Sequence, residues 1–575
     1  MPLSFNDETD FDWRVEKICV IGPGIVGMPM AALLAKVEIC ERSEQPASVV
    51  VVQRDSITSG WKVPAINAGQ SVIGGIEPDL DSIISDAVAA GLLSASHDYS
   101  TTSDADMILV CVQTDKDGLA PDYGPLFSCL DNLAEALTKK PPENIPLIVI
   151  ESTLAPSTMN TLIREHFERY NLVEGKDILL GNSPNRVMPG RLLERIAASD
   201  KLVAGLHPLT PLLIERVYEK IVTEAQLFKT NSMTAELVKT LENAYRDVRI
   251  AFATEVVRYC DRNDIDFFAL RDEVNRKVTQ SDEASGDATA VPSGAILVPT
   301  VGVGGHCLPK DGILLWWRKI EAGFDTSNSL IIHSRTINDE SPLHAINLAE
   351  SVFGALSGKR IALLGLAYRF DSEDTRNSPT FDLANLLLDS GSRIAIHDPY
   401  VKPTDQNLAK HDLQGYFTNS LSAALSDADV VIICTGHRVY LSGLAEILLC
   451  GSKLIGLFDG ANVYKSNQFD GKGVEYAGIG RGKMKPSEEL VHFVEDSFRV
   501  VEHGVANEVE DLAKFLNSIY APTEFNHIEM DDVRHLAGSC VTGCVITQSK
   551  RPLTAPVFDG FTSQLALCAE RASNG

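Results

Sequence analysis

Residues Glu16 to Ile21 (EKICVI) read as a buried strand that runs straight into Gly22-Pro23-Gly24-Ile25-Val26-Gly27 and then a helical pattern from Val26 to Lys36. This order limits the fold more than any other feature of the chain. A strand, a turn with glycine at three set positions and a helix together open a βαβ unit. Small residues let the main chain approach a pyrophosphate, and the helix start offers free N–H groups at the positive end of a dipole. The bland alternative is a tight turn that binds nothing. Gly22, Gly24 and Gly27, with Ile25 and Val26 between them, are therefore the candidate dinucleotide contacts. An acid is expected where the second strand ends, to hold the ribose hydroxyls. Here the strand Ser48 to Val52 ends at Gln53, followed by Arg54 and Asp55. Asp55 would serve after a small shift, whereas Gln53 with Arg54 would suit a 2′-phosphate, so NAD is the preferred cofactor and NADP stays open.

Further apolar strands are expected at Met107 to Val112, Ile145 to Ile150 and Asp177 to Leu180. Such strands alternating with helices indicate a parallel sheet covered on both faces. From about Ala225 the pattern turns helical. Ser232 to Asp261 lacks Pro and Gly and keeps an apolar stripe through Leu237, Leu241, Ala244, Val248, Ala251 and Ala253; it suits a dimerisation element or a solitary core helix equally. A second α/β pattern starts at Lys359 to Gly365. It continues through a helix at Ser378 to Leu388, a strand ending at His397, and strands at Val430 to Cys434 and Leu454 to Phe458. The expected fold is α/β: two Rossmann-like, doubly wound parallel-sheet domains, 14–224 and 341–485, joined by a central helical domain, 225–340. A C-terminal extension, 486–575, carries no readable motif.

The 51 basic and 78 acidic side chains give a net charge of −27, which argues against nucleic acid or an anionic membrane as partner. An anionic substrate must then be held by locally placed Arg and Lys. No run of 18 apolar residues occurs, and the opening MPLSFNDETDFDW is acidic and unlike a leader. Eleven scattered cysteines without a CxxC pair suggest reduced thiols in a cytoplasmic enzyme. Cys540 and Cys544, near His527 and His535, match no zinc spacing and read as structural thiols, so no metal is expected.

Two further features carry chemistry. Lys239 and Asn243 sit four residues apart on the long helix, so both point the same way and could stabilise an oxyanion, although a solvated polar face is the bland reading. The loop Gly302-Val303-Gly304-Gly305-His306-Cys307-Leu308-Pro309-Lys310-Asp311 delivers a single cysteine, with an aspartate four residues on. A lone cysteine is more often packing than catalysis. A thiolate beside a dinucleotide site, however, could carry an alcohol past the aldehyde to the acid.

These motifs, in this order, resemble the nucleotide-sugar dehydrogenases, the UDP-glucose/GDP-mannose dehydrogenase family, over about residues 14 to 484. The matching runs are IGPGIVG, IEST, AELVKTLENAYRDVRIAFATEV, GVGGHCLPKD, GLAYRFDSEDTRNSP and YAGIGRG. The resemblance implies a four-electron oxidation of a sugar C6 alcohol to a carboxylate through a thiohemiacetal and a thioester on Cys307. Lys239, Asn243 and Thr153 would hold the C6 oxygen and a water, and Asp311 would help position the hydrolytic water. Thr114, Lys310 and Arg376 would join the cofactor site. Tyr368, Arg369, Arg249, Gly304 and Arg276 would serve a UDP-sugar substrate, Arg276 across a dimer, since the family works as dimers or larger homo-oligomers.

Three positions depart from the family pattern. Asn185, in SPNR, replaces a glutamate and can position water but cannot take its proton. Ala461 stands where an arginine often meets substrate, and Gln53 replaces the ribose acid. SPNRVMPGRLLERI and ENAYRDVRIAFATEV resemble the UDP-N-acetylhexosamine branch (glucosamine or mannosamine), which acts in polysaccharide precursor synthesis. UDP-glucose and GDP-mannose are the alternatives. A regulatory paralogue without turnover, and a two-electron dehydrogenase of the 3-hydroxyacid type, are the readings from other classes.

Overall fold

The computed structural model describes residues 13–40, 45–74, 77–187, 190–285, 296–538 and 553–574. The described residues of Met1–Glu242, Ile313–Gly323 and Glu510–Val541 form one compact unit, and those of Asn243–Gly312, Phe324–Val509 and Thr542–Gly575 form a second.

The first unit holds an eight-stranded sheet in the order Leu227–Asn231, Lys201–Gly205, Leu179–Asn182, Leu147–Ile150, Met107–Val110, Lys17–Ile21, Ser48–Val52, Leu93–Ser96. Neighbours run parallel except Leu179–Asn182 against Lys201–Gly205, so the last two strands oppose the rest. Alternation along each strand divides its side chains between two cores. Ile18, Val20, Val49, Val51, Leu109 and Val149 enter one, and Cys19, Ile21, Ile108, Val110, Ile148 and Ile150 the other. Covering both faces in this way is what makes the strands read as unbroken apolar runs.

The second unit holds six strands, all parallel, in the order Phe417–Thr418, Arg393–His397, Arg360–Leu364, Val430–Ile433, Gly456–Asp459, Glu475–Gly478. Each sheet reverses strand order beside its first strand, and ligands of open α/β sheets bind at such a reversal.

The expected strands are present within a residue or two at their ends. Leu93–Ser96, Lys201–Gly205 and Leu227–Asn231 add to them. The last is an edge strand, so the helical pattern expected from Ala225 begins only at Ser232, and the helix runs to Arg262. A second helix of this region, Phe267–Ser285, follows it.

The C-terminal residues contain a 33-residue helix, Glu488–Tyr520, with Met530–Gly538 and Gln564–Asn574 after it. In the first unit Asn160 Nδ2 donates to Tyr520 O at 3.2 Å, and Asn231 Nδ2 to His527 O at 2.8 Å. In the second, Glu508 accepts from Leu330 N at 3.0 Å and Glu255 from Gln564 N at 2.7 Å. Each carboxylate caps a helix start at its positive end, worth roughly 1 kcal/mol.

Candidate active site

The first unit carries the glycine turn. Gly22 has φ +90°, and a Cβ there would meet Cys111 O at 2.9 Å, whereas Gly24 has nothing within 4 Å. The helix Gly27–Lys36 has no side-chain cap and no acid in its first turn. A tight first glycine, open space at the second and an uncapped helix start fit a pyrophosphate. Gln53 is turned toward its own loop, its Nε2 donating to Ser59 Oγ at 2.9 Å, while Asp55 is exposed. Lys62, missed in the sequence, reaches back to donate to Pro23 O at 3.1 Å, and burial pulls its ammonium below the ordinary value.

Thr114 Oγ1 donates to Thr153 O at 2.8 Å, which fixes the main chain at Thr153. Asn185 stands in a buried polar cluster that the sequence did not reveal. Its Nδ2 donates to Glu151, and its Oδ1 accepts from Lys201 Nζ at 2.9 Å. Lys201 also donates to Glu151 Oε2 at 3.0 Å and Ser183 O at 2.9 Å, and Tyr218 donates its hydroxyl to Glu151. Burial lowers the Lys201 ammonium, with Glu151 working against the shift. A lysine inside the apolar strand KLVAG was the available signal, but its partner lies 50 residues away. Arg186, next to Asn185, forms a two-pronged ion pair with Glu242.

Lys239 is 7% exposed and has neither hydrogen bond nor ion pair among the described residues. An ammonium buried without a partner is costly and is kept where an anion is to be met. Three residues earlier, Glu236 accepts from Ser157 N at 2.7 Å and Met159 N at 2.8 Å, tying the segment after Thr153 to the long helix. Burial pushes the Glu236 carboxyl up to about 8.

In the second unit, Asn243 Nδ2 donates to Asp311 Oδ2 at 2.6 Å. Asp311 is fully buried, and its other oxygen has no hydrogen-bond partner among the described residues, although Lys310 Nζ lies 3.7 Å away. Cys307 immediately precedes helix Leu308–Glu321 and accepts at its carbonyl from Lys310 N at 3.1 Å and Asp311 N at 2.9 Å. Its sulfur is thus carried at a helix start, where an anion is stabilised. Cys307 is exposed, whereas burial pushes the thiols of Cys19, Cys129, Cys260 and Cys434 up to about 12. Cys540 and Cys544 lie outside the described residues.

The cysteine loop is docked tightly. Gly305 N donates to Arg376 O at 2.8 Å, and Asn377 Nδ2 donates to Gly305 O at 3.0 Å. A Cβ on Gly304 would lie 2.9 Å from Asn377 O, and one on Gly305 3.0 Å from the Tyr368 ring. Arg376 is held by Asp374, with Nε donating to Oδ1 at 2.9 Å and to Oδ2 at 3.2 Å and Nη2 to Oδ2 at 2.6 Å. Burial, then Arg249 and Arg369, lower the guanidinium of Arg246. Arg276 is exposed on its helix and pairs with Glu273.

The first unit thus carries Lys239 and the glycine turn, and the second carries Asn243, Asp311, Cys307 and Tyr368. Three models of the UDP-glucose/GDP-mannose dehydrogenase family match in register: the NAD binding domain over residues 16–222, the central domain over 233–340 and the UDP binding domain over 362–466. A UDP-N-acetyl-D-mannosamine dehydrogenase of Pyrococcus horikoshii is 31% identical over 475 residues, covering 81% of this chain and 100% of its own. An NDP-N-acetyl-D-galactosaminuronic acid dehydrogenase of Ralstonia nicotianae is 28% identical over 441 residues, 75% of this chain and 92% of its own. Among solved structures, an NDP-N-acetyl-D-galactosaminuronic acid dehydrogenase of Methanosarcina mazei superposes with a TM-score of 0.66 at 30% identity, covering 81% of this chain and 96% of that one. The chain belongs to the UDP-glucose/GDP-mannose dehydrogenase family and is an NAD-dependent nucleotide-sugar dehydrogenase.

Proposed function

We propose that the chain oxidises the C6 hydroxymethyl of a UDP-N-acetylhexosamine, UDP-N-acetylmannosamine or UDP-N-acetylglucosamine, to the uronate. The observation that carries this reading is Cys307, exposed at a helix start beside the Asn243–Asp311 pair. The names of relatives such as the mannosamine dehydrogenase of Pyrococcus horikoshii support the sugar class.

Gly22, Gly24, Ile25, Val26 and Gly27 of the glycine turn, with Thr114, Lys310 and Arg376, would hold NAD, which would supply the hydride acceptor for each of two oxidations. Lys239 and Asn243, one turn apart on a single helix, hold the C6 oxygen as its proton leaves, Lys239 countering the developing negative charge. The Cys307 sulfur adds to the aldehyde carbon, and the resulting thiohemiacetal oxyanion is held by the same donors. Its oxidation leaves a thioester on Cys307. Water then attacks the thioester carbon, the C–S bond breaks, and the sulfur departs as thiolate. The Asp311 oxygen that has no hydrogen-bond partner among the described residues accepts from that water, while Thr153 and Asn185 help to hold it. Asn185, locked at both ends of its amide by Glu151 and Lys201, orients water without taking a proton. Tyr368, Arg369 and Arg249 receive the UDP-sugar. In this reading the enzyme is a cytoplasmic homodimer or larger homo-oligomer making a polysaccharide precursor, and the exposed Arg276 is lent to a neighbouring copy.

The test is NADH formed per UDP-sugar consumed, with UDP-N-acetylmannosamine, UDP-N-acetylglucosamine and UDP-glucose side by side. A ratio near two on an N-acetylhexosamine supports the proposal, and Cys307→Ser should then stop at the aldehyde. Full activity in Cys307→Ser would defeat the thioester route. Binding without turnover on any sugar would favour a regulatory paralogue.

A further inference from the structure

In the second unit a long loop, residues 365–377, joins strand Arg360–Leu364 to helix Pro379–Asp389 and carries Tyr368 and Arg369. It has no helix or strand of its own, so other segments must satisfy and hold its main chain. At its base Leu366 N and Ala367 N donate to Asp398 Oδ2 at 2.7 and 2.9 Å, and Thr435 Oγ1 donates to Ala367 O at 2.5 Å. At its far bend stands Asp371, with φ +51°. Backbone of that kind persists in a non-glycine residue only where the surroundings fix it.

The side chain that fixes it is His437, which is fully buried. Its Nδ1 accepts from Asp371 N at 2.8 Å. A main-chain N–H can only donate, so the ring hydrogen sits on Nε2, and Asp398 Oδ2 accepts it at 3.0 Å. The rings of Tyr400 and Tyr440 pack against the imidazole, with 5.1 and 5.5 Å between centroids. The Asp371 carboxylate closes the clasp from its own side. Its Oδ1 accepts from Arg438 N at 3.0 Å and Tyr400 Oη at 3.2 Å, and its Oδ2 pairs with Arg438 Nε at 2.7 Å. One buried carboxylate, Asp398, thus anchors residues 366 and 367 directly and residue 371 through His437. Tyr368 and Arg369 lie between the two anchors.

We propose that His437 is a positioning residue that, by tying Asp371 to Asp398, keeps Tyr368 and Arg369 in the conformation that receives the UDP-sugar. The inference rests on the nucleotide-sugar reading above. Without the tie, residues 368–371 gain alternative conformations, and ligand must first select the competent one. Apparent affinity then falls by the competent fraction, while saturating ligand restores it.

The test uses the full chain, with UDP as probe in calorimetry and steady-state kinetics on the accepted UDP-sugar. His437→Leu removes both ring nitrogens. It should weaken UDP binding and raise KM by about 10-fold, the equivalent of one such hydrogen bond, with kcat little changed. His437→Gln, whose amide offers an acceptor and a donor, should recover most of that loss. A merely structural role would lower stability and the amount of active enzyme at unchanged KM and unchanged UDP affinity, and that result overturns the proposal, as does a Gln variant no better than Leu. If His437→Leu does not fold, Asp371→Ala decides. It opens the clasp from the solvent side and should weaken UDP binding about 3- to 10-fold; unchanged binding overturns the proposal. Parent protein that binds UDP while the variants match it defeats the His437 role alone. Parent protein that binds neither UDP nor any UDP-sugar defeats the nucleotide-sugar reading, and this inference with it.

Discussion

The two sheets repeat one device and then use it differently. At the reversal of the first, Gly22 N donates to Val52 O at 3.0 Å and Cys111 N to Ile21 O at 2.8 Å. At the reversal of the second, Gly365 N donates to His397 O and Cys434 N to Leu364 O, both at 2.8 Å. Both glycines have positive φ, +90° and +103°, because the facing strand leaves no room for a side chain. Beyond that point they part. The first turn leads within five residues to an uncapped helix. In the second, Asp398 fills the crevice. Its Oδ2 accepts from Leu366 N at 2.7 Å, Ala367 N at 2.9 Å and His437 Nε2 at 3.0 Å, and its Oδ1 from Tyr400 N at 2.8 Å. The second helix, Pro379–Asp389, starts only after a long loop and is capped by Ser378. The first turn brings no side-chain cap and no acid to its helix start, and the second satisfies its amides with its own carboxylate. A shared strand order therefore does not carry a shared ligand.

The sharpest way to break this contrast is Asp398→Ala. Losing the buried acceptor should cost about 3–5 kcal/mol of stability in urea denaturation, with NAD affinity unchanged; a comparable loss of NAD affinity would end the contrast. Burial works against its charge, but His437 and the Ala367 and Tyr400 amides hold the Asp398 carboxyl below its ordinary value. A lowered acid stabilises above its unfolded pKa of about 4 and loses that contribution as pH falls through the folded value. The gap between parent and variant should therefore narrow below about pH 4.

Next come the glycines. Gly22→Ala and Gly365→Ala should each cost about 1–3 kcal/mol of stability, since a Cβ would meet Cys111 O at 2.9 Å or Thr435 N at 2.7 Å. Only Gly22→Ala should weaken NAD, by roughly tenfold or more; equal effects on NAD titration would refute the division of labour. Asn185→Glu places a second carboxylate beside Glu151 on one lysine. One of the two then holds its proton with a raised pKa, so about 1–2 kcal/mol should be lost as pH rises from 5 to 8. Faster turnover with unchanged melting would instead mean that position 185 acts on water alone. The smallest effect belongs to Glu236→Gln, which spoils one of two amide contacts for about 1 kcal/mol at pH 5. Because burial raises the Glu236 carboxyl to about 8, the parent loses stability between its unfolded pKa and pH 8. The deficit of the variant should shrink over that range in thermal melts.

What could be read from the sequence was local. Gly22, Gly24 and Gly27, the Lys239–Asn243 spacing and the Cys307 loop lie within short windows whose periodicity or turn chemistry is set by neighbours. Leu93–Ser96 and Leu227–Asn231 escaped because short, half-exposed strands lack an apolar signature. Asn185 stood out only as a departure, since Glu151 and Lys201, 34 and 16 residues away, meet it by tertiary packing. The C-terminal residues had no motif because their work is done one carboxylate at a time. Glu502 meets Tyr245 across 257 positions, and Glu508 meets Leu330 across 178.

The division into interleaved units has a consequence for synthesis. Residues Glu510–Val541 belong with the sheet that begins at Lys17, and Asn231 waits for the carbonyl of His527. At about 5–20 residues per second, a ribosome needs on the order of 15–60 seconds to make the intervening stretch. For that interval the nascent cofactor-binding sheet has its strands but lacks part of its cover, and a chaperone able to shield that face would raise the yield of active enzyme.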